Sequence, residues 1–165
     1  INVDIVDINF RPTNDAISKE YRYYFTTQDI DKVFTENLMT HVKFELDEDK
    51  MKQACALFVG VHDFLNFHCL GSDPASTVRT VNFCELIRVN PDPELFGGEY
   101  YYIRIVGNGF LRQMVRLIVG AIWDIGRGRL SLEDIEKALE SKVFKHISPV
   151  APAGGLFKYK VHYKK

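Results

Sequence analysis

The sequence predicts an α+β fold, an antiparallel or mixed β-sheet with helices gathered mainly on one face. Three observations carry this. Two long strand-forming runs, residues 78 to 89 and 99 to 106, are separated by Asn90-Pro91-Asp92-Pro93 and Gly97-Gly98, the punctuation of an antiparallel pair. One strongly apolar helix is predicted over residues 110 to 125. The order strands, helix, two strands, long helix, short helix, strand lacks the regular β-α-β alternation of a parallel sheet.

Taken in chain order, residues 3 to 8 alternate apolar and acidic side chains, the period of a half-buried strand. Residues 9 to 19 carry Pro12, Asn14 and Asp15 and read as a loop. Tyr21 to Thr27 is rich in strand formers. Residues 28 to 40 fit a short helix or an irregular excursion equally well. From Asp47, the acids Asp47, Glu48 and Asp49 suit a helix start, where negative charge meets unpaired amides. Met51, Ala54, Cys55 and Phe58 follow at helical spacing, and Gly60 reads as the stop. In the long helix, Leu111, Val115, Ile118, Ile122 and Ile125 share one face, joined by Met114. Gly126-Arg127-Gly128 ends it, and Ser131 with Asp134 resembles a capping box opening a helix to about Ser141. Ala151 to Gly155 is a small-residue loop, and Leu156 to Tyr163 reads as a last strand.

At 165 residues, the length suits one domain, or one domain with part of another attached. The chain opens at Ile1 in a predicted strand, so residues 1 to 30 are expected to continue from an upstream domain, with residues 31 to 165 forming the C-terminal one. A net charge of -1 argues against a protein that coats nucleic acid by bulk charge, while leaving room for a local basic cleft. Cys55, Cys69 and Cys84 are odd in number and widely spaced, which argues against a disulfide framework or a structural zinc site and suits reduced thiols in a cytoplasmic protein. No run approaches the ~18 apolar residues of a membrane helix.

A few residues stand out chemically. Arg116 lies between Val115 and Leu117 in a helix apolar nearly all round. It either snorkels to the helix edge or meets a carboxylate or phosphate, because an unpaired buried guanidinium is costly. Tyr21 is either a core aromatic or a ring on which a base stacks. His62-Asp63 reads as a catalytic dyad or as a polar pair at a helix-to-loop junction, and no nucleophile motif accompanies it. Gly107-Asn108-Gly109 precedes a helix start, a place where phosphate can bind. The five histidines show no metal-ligand spacing.

The run Asn108-Gly109-Phe110-Leu111-Arg112-Gln113-Met114-Val115-Arg116-Leu117-Ile118-Val119-Gly120 resembles the N-x-F-L-x-x-M-V-R-x-I-V-G signature of TruA-type tRNA pseudouridine synthases. Four further segments resemble that family in order: Asp15-Ala16 through Tyr21-Arg22-Tyr23, Gly60-Val61-His62-Asp63-Phe64 with Phe67, Thr77-Val78-Arg79-Thr80-Val81, and Ala151-Pro152-Ala153-Gly154-Gly155-Leu156. The loop before Asp15 departs from the family at Thr13, where Arg is usual.

The resemblance implies a cofactor-free and metal-free isomerisation of uridine to pseudouridine in the tRNA anticodon stem-loop, by a homodimer. Tyr21 matches the tyrosine beneath the target base, and Arg116 matches the arginine that pairs with the essential aspartate. His62, Arg79, Asn108 and Arg112 are expected to bind RNA. The aspartate belongs to an R-T-D-x-G-V-H motif that is absent from this sequence. The chain alone is therefore expected to be inactive, with Arg116 facing the same cleft as Tyr21 and lacking an in-chain carboxylate. A non-catalytic RNA-binding or dimerisation module on the same scaffold is the alternative.

Overall fold

A computed structural model describes residues 5–28, 35, 37–90 and 98–163. Six strands form one mixed sheet: β1 (Ala16–Thr26), β2 (Thr40–His41), β3 (Gly60–Asp63), β4 (Val78–Val89), β5 (Tyr100–Gly107) and β6 (Leu156–Tyr163). The path runs β2-β1-β5-β4-β3, and β6 also pairs with β1. β1 is therefore central. One of its edges takes β5 antiparallel, from Lys19↔Gly107 to Phe25↔Tyr101. The other takes β6 antiparallel along Ala16 to Tyr23, then β2 parallel at Phe25 and Thr26. β4 pairs antiparallel with both β5 and β3.

Among the described residues three α-helices cover one face: α1 (Glu48–Leu57), α2 (Met114–Gly126) and α3 (Leu132–Glu140). Alternation along β1 and β5 turns Tyr23, Phe25, Ile103 and Ile105 toward them, all 1% exposed or less. Met114, Leu117, Ile118 and Ile122 of α2 close the core from the other side. The opposite face is polar and aromatic. There Glu20 holds Arg22 and Arg104, and the Arg22 guanidinium lies over the Tyr102 and Tyr159 rings.

Local chemistry sets the helix ends as expected at two places. Asp47 caps α1 by accepting from the Lys50 amide, and Ser131 and Asp134 cap α3 reciprocally. Elsewhere the structure corrects the sequence reading. Residues 5 to 8 form no strand: Ile5 and Ile8 are fully exposed, and Asp7 instead closes a turn onto Asn9 and Phe10. Residues 1 to 4, like most of 28 to 40, lie outside the described residues. β1 begins at Ala16, inside the predicted loop, because β6 supplies a partner from Tyr163 onward. Gly60, with φ 127, enters a strand, so His62-Asp63 sits on β3 and not at a helix-to-loop junction. The long helix begins at Met114, four residues after its predicted start, because Gln113 adopts the left-handed conformation (φ 63). No helix among the described residues is long and apolar enough to cross a membrane.

Candidate functional site

The α2 N-terminus and the middle of β1 meet at one end of the core. Residues 108 to 113 carry the chain from the sheet to the helix layer. Leu111 is buried there, and the Phe110 ring packs edge-on against Tyr21 with centroids 5.1 Å apart. Tyr21 is half-buried on the helix-facing side of β1, opposite Ile105, and burial pushes its phenol up. The first turn of α2 brings Arg116 to the same place. Tyr21, Phe110, Arg112, Gln113, Arg116 and Leu156 line one cavity of ≈ 300 Å³. That lies at the small end of the range for small-molecule sites, about 300–1,000 Å³.

The Arg116 guanidinium is held from behind. Its Nε donates to the Ala151 carbonyl at 2.5 Å, and its own carbonyl accepts from the Ala151 amide at 3.1 Å. Among the described residues no carboxylate lies within ion-pairing distance of it. The acids nearest in sequence terms are engaged elsewhere: Asp124 with Arg127, and Glu99 with Arg88. Such a guanidinium keeps its terminal N–H donors for a partner brought to the cavity.

His62, Arg79 and Asn108 do not line this cavity. They sit together at the adjoining end of β3, β4 and β5. His62 and Arg79 are cross-strand partners. Arg79 donates to the Ser76 and Val78 carbonyls and lies against Gly109. Asn108 clasps Thr80 twice, its amide donating to the Thr80 carbonyl and its side chain accepting from the Thr80 amide. The exposed Arg112 joins the cavity, and its carbonyl accepts from the Cys69 amide.

The His62-Asp63 dyad does not form. The His62 ring meets the Val59 carbonyl, while Asp63 is tied to Thr77, the Leu65 amide and Lys142. Burial alone would raise the Asp63 carboxyl, but these donors outweigh it and hold it below the usual carboxylate range. Asp63 is thus a structural knot. No three His, Cys, Asp or Glu side chains among the described residues converge as metal ligands would.

Sequence reasoning missed what holds Arg116. The segment from Ser148 to Pro152 runs against α2, where Ser148 Oγ donates to the Leu117 carbonyl. A Cβ on Gly120 would stand 2.0 Å from the Pro149 carbonyl oxygen, so only glycine admits this approach. The atom that holds the guanidinium is the Ala151 carbonyl oxygen, a backbone atom that leaves no side-chain signature. The available signals were the small residues Gly120, Ala151 and Gly155.

The sequence matches a family model for tRNA pseudouridine synthase over residues 54–164. It is 36% identical over 151 residues to "tRNA pseudouridine synthase A 2" of Desulfotalea psychrophila, covering 89% of this chain and 56% of that protein. It is 31% identical over 163 residues to "tRNA pseudouridine synthase A" of Bacillus pumilus, covering 99% and 63% respectively. For the protein of the same name in Staphylococcus aureus strain JH1 the identity is 35% over 161 residues, covering 98% and 57%. The chain thus spans 56% to 63% of the length of these relatives.

Proposed function

The chain belongs to the tRNA pseudouridine synthase family, and from that premise we propose that it forms the base-holding part of an enzyme converting uridine to pseudouridine in the tRNA anticodon stem-loop. Residues 31 to 165 would be its C-terminal domain, with residues 1 to 30 continuing from an N-terminal one. The supporting observation is the cavity shared by Tyr21 and Arg116, whose guanidinium meets no carboxylate among the described residues.

In this reading the Tyr21 ring lies beneath the target uracil, and Arg116 receives the aspartate of an upstream R-T-D-x-G-V-H motif. Arg116 orients that carboxylate against the nucleotide and keeps it ionised, since an adjacent cation favours the charged form. The base then breaks from C1′ at N1, turns within the cavity, and rejoins through C5, which afterwards gives up its hydrogen as a proton to water while N1 takes one up. The reaction draws on no cofactor or metal. Arg112 at the cavity mouth, with Arg79, His62 and Asn108 alongside, contacts the RNA around the flipped nucleotide, chiefly its backbone. The enzyme works in the cytoplasm as a homodimer.

The test uses the full-length enzyme and tritium release from tRNA labelled at uracil C5. Arg116→Ala is expected to lower turnover at least about 100-fold while changing tRNA affinity by less than about 3-fold, because removing one partner of a buried ion pair costs ~3–5 kcal/mol and that loss falls on the carboxylate. The chain alone is expected to release no tritium. Turnover by the chain alone, or a full-length Arg116→Ala enzyme of undiminished rate, would refute the reading.

A further inference from the structure

We infer that Tyr23 is a positioning residue for Arg116, acting through the backbone carbonyls of Pro152 and Ala151; the inference rests on the proposed role of Arg116. Tyr23 lies two residues from Tyr21 on the same face of β1, yet it is fully buried and does not line the Tyr21 cavity. Its hydroxyl donates to the Pro152 carbonyl at 2.7 Å. The same oxygen is 2.7 Å from Thr40 Oγ1. A phenol has one proton, and Tyr23 spends it on Pro152, so Thr40 must be the donor of the second bond. The result is a directed chain: Thr40 donates to Tyr23, Tyr23 donates to the Pro152 carbonyl, and the preceding carbonyl, Ala151, accepts from Arg116 Nε.

This arrangement fixes the Ala151-Pro152 segment from two sides. On one side Ala151 is bonded twice to Arg116, through its amide and its carbonyl. On the other the Pro152 carbonyl is bonded to a tyrosine whose ring packs edge-on against Trp123 with centroids 5.5 Å apart. Gly155 permits the fit, since a Cβ there would stand 3.0 Å from the Tyr23 ring and 3.1 Å from Thr40 Oγ1. With Nε committed, the guanidinium is anchored at that N–H, and its two terminal nitrogens are left for a partner, as end-on bidentate capture of a carboxylate requires. Burial pushes the Tyr23 phenol up, so it remains a neutral donor at working pH. Without its hydroxyl the Pro152 carbonyl loses its donor, the loop loosens, and Arg116 gains rotational freedom. A misplacement of about 1 Å can cost about 100-fold in rate.

The test compares Tyr23→Phe with the parent in two systems. In this chain, exchange of the Arg116 Nε–H proton with water is followed by NMR; it is expected to quicken about fivefold as an Nε–H bond worth ~1 kcal/mol is loosened. In the full-length enzyme, kcat is expected to fall about 10- to 100-fold with KM for tRNA within about 2-fold, the pattern of a group that matters only in the transition state. Thr40→Val, which keeps the ring and its packing, is expected to move both readouts in the same direction by less. In an Arg116→Ala background Tyr23→Phe should add nothing to the loss of kcat. Unchanged Nε–H exchange in Tyr23→Phe overturns the inference, and so does an equal loss of kcat with and without Arg116. If Arg116→Ala itself leaves turnover intact, the proposed role of Arg116 fails, and the exchange measurement still decides whether Tyr23 holds it.

Discussion

Gly120→Ala tests the seating of the arginine-bearing helix, because two effects of known size oppose each other there. In an ordinary helix interior alanine is favoured over glycine by about 1 kcal/mol. Here the new methyl would stand 2.0 Å from the Pro149 carbonyl oxygen. Reaching a normal contact of about 3.5 Å requires the loop to retreat by about 1.5 Å. Overpacking of this kind costs about 1–3 kcal/mol. The retreat also strains two bonds, Ala151 N–H to the Arg116 carbonyl and Ser148 Oγ to the Leu117 carbonyl, worth about 1 kcal/mol each. Net of the propensity gain, the variant should be destabilised by about 2–4 kcal/mol. For a chain of this size that lowers Tm by roughly 5–15 °C. Urea unfolding followed by tryptophan fluorescence is a suitable assay, since Trp123 lies on the same helix. A variant as stable as the parent would refute the close packing of the 148–152 loop on α2, and with it the path by which that loop holds Arg116.

Three other expectations can be checked in the same preparation. Ser131→Ala removes one half of the α3 capping box and should cost about 1 kcal/mol in urea unfolding, while Ser141→Ala, at the other end of that helix, should cost less. Burial would raise the Glu20 carboxyl, but hydrogen bonds from Arg22 and Arg104 outweigh it and hold it below the ordinary carboxylate range, so its stabilisation is present above the ordinary glutamate titration and is lost as the pH falls through the lowered one; Glu20→Gln should flatten that acid limb of Tm against pH. The neighbouring Cys55 thiol, together with burial, pushes the Cys84 thiol up, so a disulfide reagent at neutral pH should modify the half-buried Cys69 first and reach Cys55 and Cys84 only on unfolding.

Particular residues show how far the sequence could be read. β4, β5 and β6 were legible because each is a long run of strand formers bounded by turn residues, and the α3 start because Ser131 and Asp134 form a purely local box. The strand expected over residues 3 to 8 does not form at residues 5 to 8, the described part, because alternation states only that a strand would be half-buried and says nothing about a neighbour. β1 already has both edges occupied, by β5 on one side and by β6 and β2 on the other. The start of α2 was misplaced for a different reason. Phe110, Leu111 and Met114 have helical spacing, yet their burial comes from an irregular path that turns at Gln113 through positive φ. A non-glycine residue in that conformation carries no compositional mark.

That misplacement bears on the site. Had the helix begun at residue 110, Arg112 and Arg116 would stand one turn apart on the same face, two equivalent cations on one stripe. With the helix beginning at Met114, Arg112 lies outside it on an exposed turn, while Arg116 is in its first turn and bonded to Ala151. The two arginines are therefore unlike. One keeps its side-chain freedom and suits a phosphate met in many orientations; the other has lost it and suits a single partner in a single geometry. The sequence could flag Arg116, because a lone guanidinium in an apolar helix is conspicuous. It could not tell the held arginine from the exposed one, because the holding is done by one backbone oxygen of a loop 35 residues away and by a tyrosine hidden beneath it. Residues bound in this way are found from coordinates, by asking where each buried donor sends its proton.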